Sequence, residues 1–186
     1  VWNSLALQGA VMQMVCHGIA TGALFMLVGM LQERLGTREM SRMGGLWATL
    51  PRMGAAALFF SMASLGLPGI GNFVGEFLVL IGSFREHMAI TSIAVAGVVT
   101  ATVYSLWLVQ NTFHGSDTYH WEVPDLSLRE GIAMVAMVVS LLWLGLYPQP
   151  LLDRAGRSLD NLQLLAGDRV LSAPEGIHEP EMVSRD

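Results

Sequence analysis

One carboxylate in this chain sits where a carboxylate is costly. Glu76 closes the run Ser64-Leu65-Gly66-Leu67-Pro68-Gly69-Ile70-Gly71-Asn72-Phe73-Val74-Gly75-Glu76-Phe77, inside a long apolar region. An ionisable side chain at membrane depth costs about 2.5–3.5 kcal/mol on insertion scales. Just ahead of it, Pro68 with Gly66, Gly69 and Gly71 interrupts what would otherwise be helix. Backbone groups left unpaired in hydrocarbon cost roughly several kcal/mol each unless protein or water satisfies them. Two such costs at one place point to an ion or proton pathway. A carboxyl held there can take up and release a proton. The competing reading is a solvated carboxylate at a helix end near the interface.

His17 falls near the middle of an earlier apolar run. An imidazole can pass protons between its two ring nitrogens; alternatively it is a neutral histidine bonded to a neighbouring helix. Gln13 and Thr21 lie one turn either side on the same helical face, where they could hold water. Asn72, beside the break, could line the same path. His114 ends a later apolar run and is a candidate proton-intake group or simply an interfacial histidine.

Other chemistries find no pattern here. The sequence has no phosphate loop, no GxGxxG fingerprint, no CxxC and no HExxH. Its single cysteine, Cys16, lies in an apolar run and can form neither an intrachain disulfide nor a metal cluster. No cofactor-binding or metal-ligating residue is therefore assigned. The twelve methionines are scattered through apolar segments and read as packing.

The elements that must position these residues are helices in a membrane. Of 186 residues, 53% are hydrophobic and 13% charged, against about 25% charged in a soluble domain, and the mean hydropathy is +0.51. The composition describes an all-α integral membrane protein. The net charge of -5 comes mainly from the last connecting loop and the tail, and no basic patch points to nucleic acid. All ten basic residues are arginine. The chain enters an apolar span almost at once, without a charged leader region or cleavage site, and is expected to be the C-terminal part of a longer membrane protein.

Four crossings are predicted. The first covers residues 5–31, with Gly9, Gly18, Gly22 and Gly29 able to admit close helix contacts. A polar connection, 32–52, carries Arg34, Arg38, Arg42 and Arg52, with Trp47 as a headgroup-level anchor. The apolar region 53–84 is too long for one continuous span and too short for two, so it reads as one crossing broken around 68–71. The third and fourth crossings cover 89–113 and 131–147, separated by an acidic loop. Residues 1–148 thus form the bundle. An amphipathic surface helix follows over 149–166, then a polar tail over 167–186 expected to be disordered. The positive-inside rule puts the arginine-rich and acidic loops in the cytoplasm, and the C-terminus in the periplasm if the membrane is a bacterial inner membrane.

The run 43–47 (Met-Gly-Gly-Leu-Trp) and the run Ser64 to Phe77 closely resemble the subunit M (subunit 4) family of NADH–quinone oxidoreductase, respiratory complex I. The segments 13–18, 103–106 and 145–148 are similar to the same family. The resemblance implies an antiporter-like subunit of fourteen helices with two inverted five-helix repeats, of which this chain would be the last four. It implies that Glu76 is the terminal proton-transfer acid at the broken helix and His17 its relay. Quinone reduction elsewhere would alter the charges that drive Glu76. FMN, iron–sulfur clusters and quinone would belong to other subunits, with no redox centre in this chain. The partners would be neighbouring membrane subunits and the lipid bilayer. Related antiporter-like subunits often have lysine at the position of Glu76, so the glutamate favours the M type. The alternatives are a subunit of a sodium/proton antiporter or membrane-bound hydrogenase, which shares the fold, and a purely structural membrane subunit.

Overall fold

The computed structural model describes residues 3–116 and 119–159. The expected tail, 167–186, and the end of the expected surface helix lie outside the described residues. Among the described residues, every regular element is a helix.

Helix α1 (Ser4–Leu35) is 32 residues long, about 48 Å at the usual rise. Asn3 Oδ1 caps it by accepting from Leu5 N at 2.9 Å. The helix runs past the apolar limit at residue 31 because Gln32, Glu33 and Arg34 are good helix formers. Gly36, at φ +66, stops it in the left-handed cap. A 3-10 turn (Met40–Arg42) and the four-residue helix α2 (Leu46–Thr49) follow.

Helices α3 (Pro51–Ser64) and α4 (Gly71–Phe84) have 14 residues each, about 21 Å apiece. Neither alone crosses roughly 30 Å of hydrocarbon. The break between them is built from two standard turns. Gly66 N donates to Ala63 O and Leu67 N to Met62 O, at 3.2 and 3.3 Å, with Gly66 at φ +65. This is a Schellman cap. Pro68 and Gly69 then form the corner of a turn closed by Ile70 N to Leu67 O at 3.1 Å. Gly69 has φ +94, the positive value that a type II Pro-Gly turn requires. Gly71 departs from its expected role: it is the first residue of α4, not part of the bend, and its lack of a side chain serves packing.

Helix α5 (Met88–Val109) ends in a π-helical turn, Gln110–His114. Helix α6 (Leu128–Leu146) starts with a capping box between Ser127 and Glu130. Residues 149–159 are helical, with Leu151 and Leu152 against the core and Asp153, Arg154 and Arg157 exposed. Among the described residues, three helices are long and apolar enough to cross a membrane: α1, α5 with its terminal turn, and α6.

The buried residues of α1 (Ala6, Gly9, Met12, Cys16, Ala20, Ala23, Leu27) recur at steps of three and four, and α1 packs mainly on α4 and then α3. Its other face is bare. Nothing lies near Gly18, Gly22 or Gly29, so of the four expected contact glycines only Gly9 is used as one. Helix α5 buries only Thr91 and Val109.

The two connections 36–50 and 115–127 meet at one end of the bundle. Arg34 donates to Pro124 O at 2.8 Å, to Asp125 O at 3.3 Å and to Glu130 Oε2 at 2.7 Å. Trp121 Nε1 donates to Arg42 O at 3.1 Å. Leu50, which precedes α3, has no side-chain acceptor to cap it. Asp125 does so from the other connection, accepting from Arg52 N at 2.8 Å and Met53 N at 3.1 Å. Replacing a cap of this kind by alanine typically costs about 1 kcal/mol. Asp125→Ala is expected to lower the thermal midpoint of the detergent-solubilised protein by about 2–4 °C, and Asp125→Asn, which keeps an acceptor, by less.

Candidate functional site

The site forms where α1 and α4 touch backbone to backbone. On α4, Gly71, Gly75 and Gly82 face α1. A side-chain carbon at Gly82 would lie 2.7 Å from Ala6 N, and one at Gly75 would lie 2.7 Å from Gln13 N. In return, a carbon at Gly9 would lie 2.7 Å from Val79 N. Only glycine allows this approach. It brings Gln13 against the second turn of α4, where Gln13 Nε2 donates to Glu76 Oε1 at 3.0 Å. The sequence suggests Gln13 only as a residue that could hold water beside His17. The structure makes Gln13 the direct partner.

The break covers the other side of the carboxyl. Gly66 lies so close to Glu76 Oε2 that any side chain there would collide with it. The turn is in turn held by α6: a side-chain carbon at Gly145 would meet Gly69 O and lie 2.6 Å from Ile70 C. A carbon at Gly71 would lie 2.5 Å from Cys16 Sγ and 3.2 Å from Leu144 Cβ. Glu76 is thus half-buried among α1, the break and its own helix.

Asn72 lies one turn before Glu76 on the same face of α4 and is fully buried. Both polar atoms of its side chain lack a protein partner, as do Ser64 Oγ and Gln13 Oε1. Buried polar atoms of this kind are normally satisfied, often by ordered water. Of these, Gln13 Oε1 belongs to the partner of Glu76, Asn72 lies one turn before it on α4, and Ser64 ends α3 two residues before Gly66.

His17 shares a helical face with Gln13 and Thr21, and its Nε2 lies 3.2 Å from Thr21 Oγ1. Its ring is exposed on the bare side of α1, and it makes no hydrogen bond to Glu76. His114 is not brought to the site. Its ring lies tilted against that of Trp47, 4.9 Å between centroids. Trp47 and Phe113 both pack on Gly54, ten residues or about 15 Å up α3 from Ser64. Trp47, expected at headgroup level, is half-buried there. Among the described residues, no three His, Cys, Asp or Glu side chains converge to hold a metal ion.

The family described as NADH:quinone oxidoreductase/Mrp antiporter, transmembrane, matches residues 1–103. The chain is 47% identical over 165 residues to NADH-quinone oxidoreductase subunit M of Pseudomonas aeruginosa, covering 89% of this chain and 32% of that protein. It is 46% identical over 164 residues to subunit M of Escherichia coli K12, with 87% and 32% covered. Against NADH-ubiquinone oxidoreductase chain 4 of Marchantia polymorpha it is 34% identical over 162 residues, with 86% and 33% covered. A chain of respiratory complex I from Thermus thermophilus with bound NADH superposes with a TM-score of 0.70 at 33% identity, covering 84% of this chain and 35% of that one. The chain thus spans about a third of the length of these relatives.

The geometry makes Gly66 a sensitive position. Gly66→Ala would force a side chain into a positive φ, at about 1 kcal/mol, and push it into the Glu76 carboxyl. It is expected to lower the thermal midpoint, whereas Gly18→Ala on the bare face should leave the midpoint unchanged.

Proposed function

The chain belongs to the NADH:quinone oxidoreductase/Mrp antiporter transmembrane family, and from that premise we propose that it is the C-terminal third of a subunit M of proton-pumping NADH–quinone oxidoreductase, carrying part of a proton pathway. The observation that carries this reading is the half-buried Glu76, held under a helix break and bonded to a neutral amide. In this reading α3 and α4 together make one broken crossing. With α1, α5 and α6 that gives four crossings, the last of fourteen in the full subunit. The shared end of the two connections, rich in arginine, is cytoplasmic, and the C-terminus is periplasmic in a bacterial inner membrane.

Glu76 takes a proton from the cytoplasmic side and releases it outward as charges in neighbouring membrane subunits change. His17 passes the proton toward it. Asn72, Ser64, Gln13 and Thr21 provide polar atoms between, and His114 stands at the cytoplasmic end as the intake group. FMN, iron–sulfur clusters and quinone supply the redox chemistry in other subunits. The exposed ring of His17 fits this reading, because the remaining two thirds of the subunit would cover the bare side of α1. The family also includes Mrp antiporters, so a sodium/proton antiporter subunit is the second reading. The relatives named above, all oxidoreductase subunits, favour the first.

In the assembled enzyme, Glu76→Gln is expected to abolish proton pumping at this subunit while the complex still forms. Glu76→Lys, which keeps a titratable group, is expected to retain more. Quinone reduction by NADH with acidification of inverted vesicles measures both. Full pumping in Glu76→Gln, or wild-type turnover in Glu76→Ala, would make this a structural subunit, and sodium transport without NADH oxidation would select the antiporter.

A further inference from the structure

Gln13 meets Glu76 with one end of its amide and leaves the other idle. Nε2 donates to the carboxyl, while Oε1 is buried with no partner. Oε1 lies in the notch left by Gly75, where a side-chain carbon would come within 2.8 Å of it. The two ends of a glutamine amide have nearly the same shape, and the terminal torsion is broad and two-fold. Turning the amide over therefore exchanges donor for acceptor without repacking α1 against α4.

The two forms of the carboxyl differ in what they offer the amide. A carboxylate only accepts, whereas a carboxylic acid keeps an accepting carbonyl oxygen and gains an O–H that can donate. We infer that the Gln13 amide reverses with the protonation state of Glu76, donating N–H to the carboxylate and accepting O–H from the acid through Oε1. Gln13 itself neither gains nor loses a proton, which enters and leaves at the Glu76 oxygens. Each state has one bond and one idle amide atom, so the partner locks neither form. Gln13 is thus a positioning residue for the transfer. Of the titratable groups on elements packed around Glu76, α1 contributes His17 and Cys16, with Glu33 and Arg34 in its last turn at the far end. Arg52 of α3 and Arg129 and Glu130 of α6 lie at the far end of the bundle, and α5 contributes only Tyr104. This inference rests on the proton-transfer reading above.

The test uses the assembled enzyme with the full-length subunit. In infrared difference spectra across pH, the Glu76 carboxylic band is the one lost in Glu76→Gln. Gln13→Met keeps the length of the side chain and removes both amide ends. It is expected to move that band to higher wavenumber and to slow proton-coupled turnover about tenfold, the loss of one hydrogen bond to a charged group. An unmoved band, or turnover within about twofold of wild type, overturns the inference. If Gln13→Met does not assemble, wild-type enzyme with isotope-labelled glutamine decides. A glutamine amide band that changes together with the Glu76 band, and is absent in Glu76→Gln, is expected; its absence overturns the reversal. Pumping retained in Glu76→Gln instead rejects the proton-transfer reading.

Discussion

Helix α4 turns Gly71, Gly75 and Gly82 to α1, and α1 answers with Ala6, Gly9, Gln13 and Cys16. In a lipid environment apolar side chains gain little by leaving the tails, so helices associate through close packing and polar contacts. Small residues allow both here. The backbones approach until a single added carbon at 75 or 82 would strike an opposing main-chain nitrogen. At that separation a glutamine can reach the carboxyl one residue past Gly75. The position of Glu76 relative to any partner on α1 is therefore a consequence of this contact, and so is the position of the break, because Gly71 seats it on Cys16 and Leu144.

The break satisfies most of its own backbone. The Schellman cap uses the N–H groups of Gly66 and Leu67, the Pro-Gly turn uses that of Ile70, and Pro68 has none to satisfy. An interruption of this kind is tolerated at membrane depth only where protein or water surrounds it. The protein here is Gly145 and Leu144 of α6 on one side and α1 on the other. Glycine is required at 66 and 69 by their positive φ values, and at 66 also because the carboxyl occupies the space a side chain would take. One short turn thus ends α3, starts α4 and roofs Glu76.

Much of this was legible in the sequence. Apolar run length located α1, α5 and α6 to within a few residues, and Pro68-Gly69 marked the interruption between α3 and α4. The acid beyond the break stood out because of what it costs to place there. Long-range contacts were not legible. Gln13 and Glu76 are separated by 63 positions, and only the glycine faces on two different helices bring them together. The cap on α3 comes from Asp125, 72 positions from Met53, where local pattern shows only a leucine with nothing to offer. His17 is one helical turn from Gln13 and from Thr21, yet no periodicity could say that its ring is exposed. For His114 the apolar run gave the helix end but not the ring of Trp47 beneath it.

Two glutamates show how the surroundings divide structural from chemical roles. Glu130 takes the Arg34 guanidinium at 2.7 Å and the N–H of Ser127 at 2.7 Å. The guanidinium favours its charged form and ties the end of α1 to the start of α6, while the Ser127 N–H completes the cap of α6, so protonation there would weaken the fold. Glu76 has no cation against it; its one protein partner is an amide. Hydrogen bonds to charged groups are roughly twice as strong as those between neutral ones, and a guanidinium partner would hold the carboxyl in one state. A neutral partner with both a donor and an acceptor imposes no such choice. The sequence contains no lysine, and the arginines of the described residues lie in the last turn of α1, in the connections, in the first turns of α3 and α6 and in the helix over 149–159. Among the described residues no arginine pairs with the Glu76 carboxyl, and that follows from where the arginines are placed.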